Sequence, residues 1–222
     1  MKRLVFDIET LGFPIDTFDE AQQDYLLRFT KTEEEKQDVL QKLSLYPVTA
    51  QVLAIGMRNP DTERGKVLFQ SEEKVDEYNE DQSVKLISGT EKEILIAFWE
   101  DIVKYDQLIT FNGRGFDCPF LLLRSAILDV KATRNLMPYR YDYREHCDLL
   151  EQLSFYNAFR KFNLDFYCKA FGIPSPKSEG ITGLDIGRLV EEKRYRDIAE
   201  YCYRDVVATE KLFKIWEKNL KF

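Results

Sequence analysis

Four acidic residues in three separate segments of this 222-residue chain are of the type that binds divalent metal ions. The segments are Leu-Val-Phe-Asp-Ile-Glu-Thr with Asp7 and Glu9, Thr-Phe-Asn-Gly-Arg-Gly-Phe-Asp ending at Asp117, and Tyr-Cys-Tyr-Arg-Asp-Val with Asp205. Carboxylate oxygens are hard ligands, which suit Mg²⁺ or Mn²⁺ better than zinc. If the fold brings the segments together, they form a site for two divalent cations.

The first pair lies in a run with the alternation of a β-strand. Leu4, Phe6 and Ile8 are apolar and occupy every second position. A strand would place these side chains on one face and the carboxylates of Asp7 and Glu9 on the other. The spacing therefore predicts a chelating pair on one strand.

The other two acids are predicted to lie on helices. Gly113 and Gly115 interrupt a strand pattern just before Asp117, and Pro119 suits a first helical turn. Asp205 lies on or beside the apolar stripe of the last predicted helix, where a carboxylate needs a cation or hydrogen bonds. Tyr201 precedes it by one helical turn, so its hydroxyl is expected on the same side, where it would hold a water or phosphate oxygen.

The blocks Phe-Asp-Ile-Glu-Thr, Thr-Phe-Asn-Gly-x-Gly-Phe-Asp and Tyr-x-x-x-Asp, in that order, resemble the three exonuclease motifs of the DEDD superfamily, tyrosine subtype. In particular, they resemble the group related to the proofreading exonuclease domain of family-B DNA polymerases. The histidine subtype would carry His where this chain has Glu200. The resemblance implies a ribonuclease H-like fold, with Asp7, Glu9, Asp117 and Asp205 as metal ligands and Tyr201 as the residue that positions water.

We therefore expect a metal-dependent 3′→5′ exonuclease that acts on single-stranded nucleic acid ends and releases 5′-mononucleotides. Two Mg²⁺ or Mn²⁺ ions about 3.5–4 Å apart would share Asp7. The sequence has no polymerase domain, so a proofreading role would require a separate polymerase or repair partner. Two rivals stay open: a catalytically silent ribonuclease H-like module that binds nucleic acid or protein, and a structure-specific endonuclease.

The charge balance bears on these alternatives. The net charge is −7, and two bound divalent ions would leave it negative. Wide nonspecific binding to a duplex depends on many basic contacts to phosphates, so it is disfavoured, and with it the endonuclease. A narrow pocket for a few terminal nucleotides remains compatible with this charge. The silent module is disfavoured because it has no need for an acidic cluster.

Composition indicates one globular unit over residues 1–222. Hydrophobic residues make up 44% of the chain, and the four cysteines lack the spacing of a zinc site, which favours reduced thiols. The apolar run Leu4–Ile8 is too short for a signal or membrane segment. We expect a cytoplasmic protein with no membrane partner.

The pattern of predicted elements indicates an α/β protein with a mixed sheet and helices on both faces. Strands are predicted at Leu4–Ile8, Gln51–Met57, Lys66–Gln70, Gln107–Phe111 and, as a short strand or extended segment, Cys147–Leu150. Helices are predicted at Glu91–Lys104, from Asp117 onward, and near Leu164–Phe171, Asp185–Glu192 and Asp197–Lys218.

A helical insertion is predicted between the first two strands, over residues 16–47. Its apolar residues have helical spacing, and Thr32 with Glu35 resembles a capping box. Because the insertion follows Glu9 closely, it would either clamp a strand end or cover apolar surface away from the site.

Several further positions are candidates for substrate binding. Thr10, Asn112 and Phe116 flank the carboxylates, although Phe116 would serve equally well in the core. Lys177 resembles the lysine that polymerase-linked exonucleases place near the scissile phosphate, and otherwise it is a plain exposed lysine. His146, the single histidine, is either structural or a neighbour of the site.

Overall fold

The computed structural model describes residues 1–175 and 180–221 of the chain. Seven strands and eight α-helices follow one another in these two ranges. The order is β1 (Arg3–Gly12), α1 (Glu20–Leu27), α2 (Glu33–Lys42), β2 (Ala50–Arg58), β3 (Gly65–Gln70), β4 (Asp76–Tyr78), β5 (Val84–Gly89), α3 (Glu91–Ile102), β6 (Gln107–Thr110), α4 (Asp117–Ile127), β7 (His146–Asp148), α5 (Leu149–Leu153), α6 (Leu164–Ala170), α7 (Ile186–Glu191) and α8 (Tyr195–Asn219).

The strands form one mixed sheet in the order β4-β5-β3-β2-β1-β6-β7. β1, β2 and β3 make an antiparallel meander. β6 then joins β1 in parallel, and β7 joins β6 in parallel. The carboxyl ends of β1, β6 and β7 consequently lie at the same edge of the sheet.

Helices cover both faces, which confirms the predicted fold class. On one face, Leu4, Phe6 and Ile8 of β1 pack into a core with the buried residues of α3 and α4. On the other face, Val5 packs with residues of α8 such as Val206 and Phe213. Alternate residues of β1 therefore pack into two separate cores, and Leu4, Phe6 and Ile8 share one face, as the alternation predicts.

Close approach of α8 to the sheet depends on Gly56 in β2. A Cβ atom at this position would lie 2.8 Å from Cγ2 of Val206 and 3.2 Å from Sγ of Cys202. Gly56 pairs with Asp7 across the β1–β2 ladder. The missing side chain thus lets α8 lie directly against the part of the sheet that carries the acidic pair.

Three predictions about elements were incomplete. The sequence analysis missed β4, whose three residues are all exposed, and β5, whose alternation is short. The extended segment predicted to run to Leu150 ends at Asp148, because Asp148 caps α5 and starts a helix at Leu149. The capping box of Thr32 and Glu35 is present at the start of α2.

All four cysteines are buried free thiols. Within residues 1–175 and 180–221, every helix is too short or too polar to cross a lipid bilayer.

Candidate metal centre

The side chains of Asp7 and Glu9 share one face of β1, as the strand periodicity predicts, and α8 packs on this face. The thiol of Cys202 on α8 lies 3.5 Å from the backbone oxygen of Asp7, so the helix passes immediately over this strand. The β1–β2 register shifts between Glu9 and Thr10, which marks a bulge directly after the pair. Strand and helix together bring segments from opposite ends of the sequence into contact.

Asp7, Glu9 and Asp205 converge on one point. One carboxylate oxygen from each residue lies within 4.8 Å of the other two, and all three side chains are partly exposed. Three hard oxygen donors at this spacing, open to solvent, form a donor set that fits a divalent cation such as Mg²⁺ or Mn²⁺. The structure therefore assembles three of the four predicted ligands.

Asp117, the fourth predicted ligand, lies beside this group. It is buried, and its Oδ1 accepts a hydrogen bond from the backbone N–H of Ile8 at 3.0 Å. Burial raises the pKa of Asp117 to about 7, and the charges of Asp148 and Asp205 add to the increase. Because Ile8 lies between Asp7 and Glu9, this bond ties the start of α4 to the strand that carries the pair.

The carboxylates perturb one another strongly. Burial raises the pKa of Asp7 well above its ordinary value, and the charges of Asp117, Asp205 and Glu9 raise it further. The pKa of Glu9 rises for the same reasons, with burial first and then the charges of Asp205 and Asp117. The charged groups that act on this pair are thus all negative. A cation at this point would remove the repulsion.

Tyr201 lies one helical turn before Asp205 and is almost fully buried. Its hydroxyl donates a hydrogen bond to the Asp205 carboxylate. Burial raises the pKa of Tyr201 far above its ordinary value, and the charges of Asp205, Glu9 and Asp7 raise it further. The phenol therefore stays neutral and retains its proton as a hydrogen-bond donor at the edge of the carboxylate group.

The loop that leads to Asp117 is fixed by a residue whose role sequence reasoning missed. Asp148 accepts hydrogen bonds from the backbone N–H groups of Asn112 at 3.0 Å and Arg114 at 2.9 Å. The same carboxylate caps α5 through Leu150. The pattern Asp-Leu-Leu-Glu is a helix-start signal that indicates the cap, but the sequence does not reveal the bonds to the loop.

His146 lies outside the carboxylate group and has a structural role. Its Nδ1 lies 3.1 Å from the carbonyl oxygen of Leu136, and its Nε2 lies 2.8 Å from the hydroxyl of Thr110. Because a carbonyl only accepts, Nδ1 carries the proton and the hydroxyl donates to Nε2. Burial lowers the pKa of His146 to about 3, so the ring is neutral. A Cβ at Gly113 would lie 2.3 Å from the same Thr110 hydroxyl, so the histidine supports the glycine loop from below.

A cavity of about 560 Å³ opens beside Glu9. Its walls include Thr10 and Phe116, two of the predicted substrate-binding residues. The helical insertion supplies another wall, and residues 182–184 complete the lining. These additional lining residues are Asp38, Gln41, Lys42, Ser44, Leu45, Thr182, Gly183 and Leu184. The insertion therefore lies next to the carboxylate group, and it is anchored there by the Thr10 hydroxyl, which donates to the Ser44 carbonyl at 2.7 Å.

The remaining predicted residues are placed differently. Asn112 has a φ of 64° and starts the glycine loop. A Cβ at Gly115 would lie only 2.6 Å from the side-chain oxygen of Asn112, so Asn112 packs against the loop, and it is not among the residues that line the cavity. Lys177 lies outside the described residues.

A family model described as "Predicted 3'-5' exonuclease related to the exonuclease domain of PolB" matches residues 66–218, which is more than half of the chain. Asp117, Tyr201 and Asp205 lie within the matched residues, whereas Asp7, Glu9 and the helical insertion precede them. No curated protein sequence matches the chain.

Proposed function

The chain belongs to the family of predicted 3′-5′ exonucleases related to the exonuclease domain of PolB, and we propose that it is a metal-dependent 3′→5′ exonuclease of the DEDD superfamily, tyrosine subtype. Its substrates are single-stranded 3′ ends, and its products are 5′-mononucleotides. The observation that carries the proposal is the convergence of Asp7, Glu9 and Asp205 within 4.8 Å, next to a cavity.

Asp7, Glu9 and Asp205 hold the divalent ions, and Asp117 completes the ligand set from its position beside Ile8. When bound, two such ions supply Lewis acidity to the phosphodiester and lower the pKa of the attacking water. Because the carboxylates repel one another in the absence of a cation, the donor set favours Mg²⁺ or Mn²⁺ strongly over a monovalent ion.

Tyr201 orients the water that attacks phosphorus. Its neutral hydroxyl is held beside the ligands by the bond to Asp205, and a phenol in this place restricts the water to one direction of approach. Attack of the water oxygen breaks the bond between phosphorus and the 3′ oxygen of the preceding nucleotide. The released nucleotide keeps the phosphate on its 5′ oxygen, and the shortened strand gains a 3′ hydroxyl.

The cavity beside Glu9 accommodates the terminal nucleotide. Its volume of about 560 Å³ lies within the range of ligand pockets, roughly 300–1,000 Å³. Phe116 offers a ring next to the base, and Lys42 from the insertion offers a positive charge, although Lys42 is also 2.5 Å from Asp38. The insertion in this arrangement is a wall of the substrate site, which favours the clamp over the peripheral cover.

The test uses DNA and RNA single strands labelled at the 5′ end, with Mn²⁺ or Mg²⁺ and with a chelator as the metal-free control. We expect a ladder of products that shorten from the 3′ end, release of 5′-monophosphates, and no reaction when the 3′ end is blocked. Cutting of circular single strands would support an endonuclease instead. Binding without any hydrolysis under all metal conditions would support the silent module.

A further inference from the structure

The segment that follows α5 presents aromatic rings to solvent at the same edge of the sheet as the carboxylates. It begins just beyond the carboxyl end of β7, and the loop to Asp117 begins at the carboxyl end of the neighbouring strand β6. A second exposed segment precedes β7 and contacts the first. We call the following set the aromatic surface: Tyr139, Tyr141, Phe155, Phe159, Arg160 and Lys161.

The four rings of the aromatic surface are each more than half exposed. The rings of Tyr139 and Tyr141 are 5.8 Å apart between centroids, and the rings of Phe155 and Phe159 are 5.7 Å apart. Tyr156 joins the two pairs, because its ring lies 4.8 Å from that of Tyr141 and its backbone continues from Phe155. The two pairs of exposed rings therefore lie on neighbouring segments that contact each other through Tyr141 and Tyr156.

The backbone that carries two of these rings is strained. Phe155, Tyr156 and Asn157 are consecutive and have φ values of 48°, 54° and 73°, in the left-handed region that disfavours bulky residues. Hydrogen bonds from the N–H of Phe159 to the Ser154 carbonyl and from the N–H of Tyr156 to the Glu151 carbonyl, at 3.0 and 2.8 Å, hold the turn in place. Neither the strain nor the exposure of Phe155 helps the free protein to fold, so a rigid turn that exposes aromatic rings points to a ligand.

The charge of this segment is opposite to that of the whole chain. No acidic residue occurs between Glu151 and Asp165, whereas the chain carries a net charge of −7. Arg160 and Lys161 are exposed, and neither forms an ion pair with any acidic residue in the part of the chain that the structure describes. Two such cations beside open rings complement a polymer with phosphates and flat bases.

A series of ring contacts connects Phe162, which follows the aromatic surface in sequence, to Phe111 at the start of the glycine loop. Phe162 stacks on Phe166 with centroids 4.4 Å apart and meets the edge of Tyr167 at 6.2 Å. Tyr167 in turn contacts Phe111 at 5.9 Å. Phe111 directly precedes the glycine loop that ends at Asp117.

We propose that the aromatic surface binds the single-stranded part of the substrate that extends away from the 3′ end held at the carboxylates. Bases of a single strand stack on the open rings without regard to sequence, and phosphates lie against Arg160 and Lys161. A duplex hides the faces of its bases, so the surface selects single strands. This inference rests on the proposed function for the direction of the strand, but binding to the surface does not depend on hydrolysis.

The test compares a trinucleotide with a strand of about 15 nucleotides, since only the longer one reaches beyond the terminal site. The variants are Tyr141→Ala with Phe159→Ala, and separately Arg160→Ala with Lys161→Ala. Tyr78→Ala is the matched control, because Tyr78 on β4 is an exposed tyrosine whose ring lies 6.0 Å from Nζ of Lys85, and β4 is the outer strand farthest from β7. Thermal melting of each variant checks that it folds.

We expect both double variants to raise the KM for the longer strand by about 10- to 100-fold, with kcat and trinucleotide cleavage unchanged. The Arg160→Ala, Lys161→Ala protein should also show a slope of log affinity against log salt that is shallower by about 1.4, as for two lost phosphate contacts. Binding is measured by fluorescence anisotropy in an Asp7→Asn background, where hydrolysis cannot interfere.

For each variant, the change in KM relative to the wild type is compared between the long strand and the trinucleotide. If the double variants change the two KM values no differently from the Tyr78→Ala control, the inference is wrong, although the exonuclease assignment stands. The wild-type protein could remove no nucleotides while the double variants still bind the longer strand more weakly than the wild type does. That result would overturn the proposed function but support the aromatic surface as a binding site. A change in sedimentation without a change in strand binding would show that the surface joins protein copies, and the inference would be wrong.

Discussion

The carboxylate of Glu91 and the carboxylate pair of Asp7 and Glu9 have opposite electrostatic surroundings in this protein. Glu91, at the start of α3, accepts hydrogen bonds from Nε and Nη2 of Arg124 at 2.9 and 2.6 Å and from the backbone N–H of Val52 at 2.8 Å. The charge of Glu91 is therefore neutralised by a bidentate ion pair with Arg124. Asp7 and Glu9 form no ion pair with any basic residue that the structure describes, and the charged groups that act on them are carboxylates.

The difference indicates what the second group is for. A buried carboxylate is costly unless it is paired and hydrogen-bonded, and Arg124 shows that this sequence can supply the partner where the fold needs one. Asp7 and Glu9 have no such partner among the basic residues that the structure describes, and this contrast supports the proposal that the pair binds a cation.

The largest expected effect is on hydrolysis when the acidic pair is broken. Asp7→Asn should reduce the rate by more than about 1,000-fold, because it removes a metal ligand, while the free energy of unfolding without metal stays the same or rises as repulsion is relieved. Rates on a labelled single strand and urea denaturation measure the two quantities. Asp129→Asn is the matched control, since Asp129 is exposed and has a φ of 53°, which Asn tolerates. A near wild-type rate in Asp7→Asn would refute the site assignment.

Breaking the ion pair of Glu91 and Arg124 should lower stability and leave hydrolysis unchanged, which is the reverse of the result expected for Asp7→Asn. Arg124→Met leaves the Glu91 carboxylate buried without its cation, so the free energy of unfolding should fall by about 3–5 kcal/mol. The rate of hydrolysis per folded molecule should stay unchanged. Adding Glu91→Leu to Arg124→Met should recover most of the lost stability, because the unpaired charge is then gone. Denaturant titrations of the wild type and the two variants measure these changes. An Arg124→Met protein as stable as the wild type would contradict the difference drawn between the two sites.

A smaller effect is expected for the hydroxyl beside the carboxylates. Tyr201→Phe retains the ring and its packing but loses the bond to Asp205 and the group that orients water. The rate should fall about 10- to 1,000-fold, at roughly 1.4 kcal/mol per decade, without weaker metal binding. Single-turnover kinetics at saturating Mn²⁺ provide the measurement. An unchanged rate would mean that Tyr201 serves only in packing.

The smallest effect concerns pH and stability. In the metal-free folded protein the pKa values of Asp7, Glu9 and Asp117 lie above their ordinary values, so the folded state binds protons more tightly than the unfolded state. The stability from these protons is fully present below the ordinary pKa of about 4 and is lost as the pH rises through about 7, the pKa of Asp117. We therefore expect the free energy of unfolding of the metal-free protein to fall as the pH rises over this window.

Melting experiments in a chelator and in Mn²⁺, from pH 5 to 8, check this expectation. Mn²⁺ should remove the loss, since a cation favours the ionised carboxylates. Asp117→Asn should flatten the metal-free profile. A metal-free protein that becomes more stable as the pH rises through this window would contradict the raised pKa values.

Local periodicity explains which parts of the site could be predicted. The face shared by Asp7 and Glu9 follows from strand alternation, and the pairing of Tyr201 with Asp205 follows from helical spacing. Each involves residues within one element, whose geometry fixes the direction of the side chains. The order of the motifs then predicted the family, and the pattern of predicted elements indicated the mixed sheet.

Contacts between distant segments could not be predicted in the same way. The bonds from Asp148 to the glycine loop and from Thr10 to the insertion join residues that are 34 or more apart in sequence. No periodicity links such positions. His146 stayed ambiguous for this reason, because only the fold shows that its ring is occupied by Thr110 and Leu136. The strand β4 was missed because its exposed residues carry no apolar pattern.

The close packing of α8 on β1 has a consequence for how the proposed activity arises during synthesis. Asp7 and Asp205 are roughly 200 residues apart in sequence, and they meet only because Gly56 lets the helix lie against the sheet. A growing chain on the ribosome that has not yet produced α8 carries Asp7, Glu9 and Asp117 but lacks both Tyr201 and Asp205. Such a chain has no complete site, so the proposed activity can begin only after α8 has been made and has packed against β1.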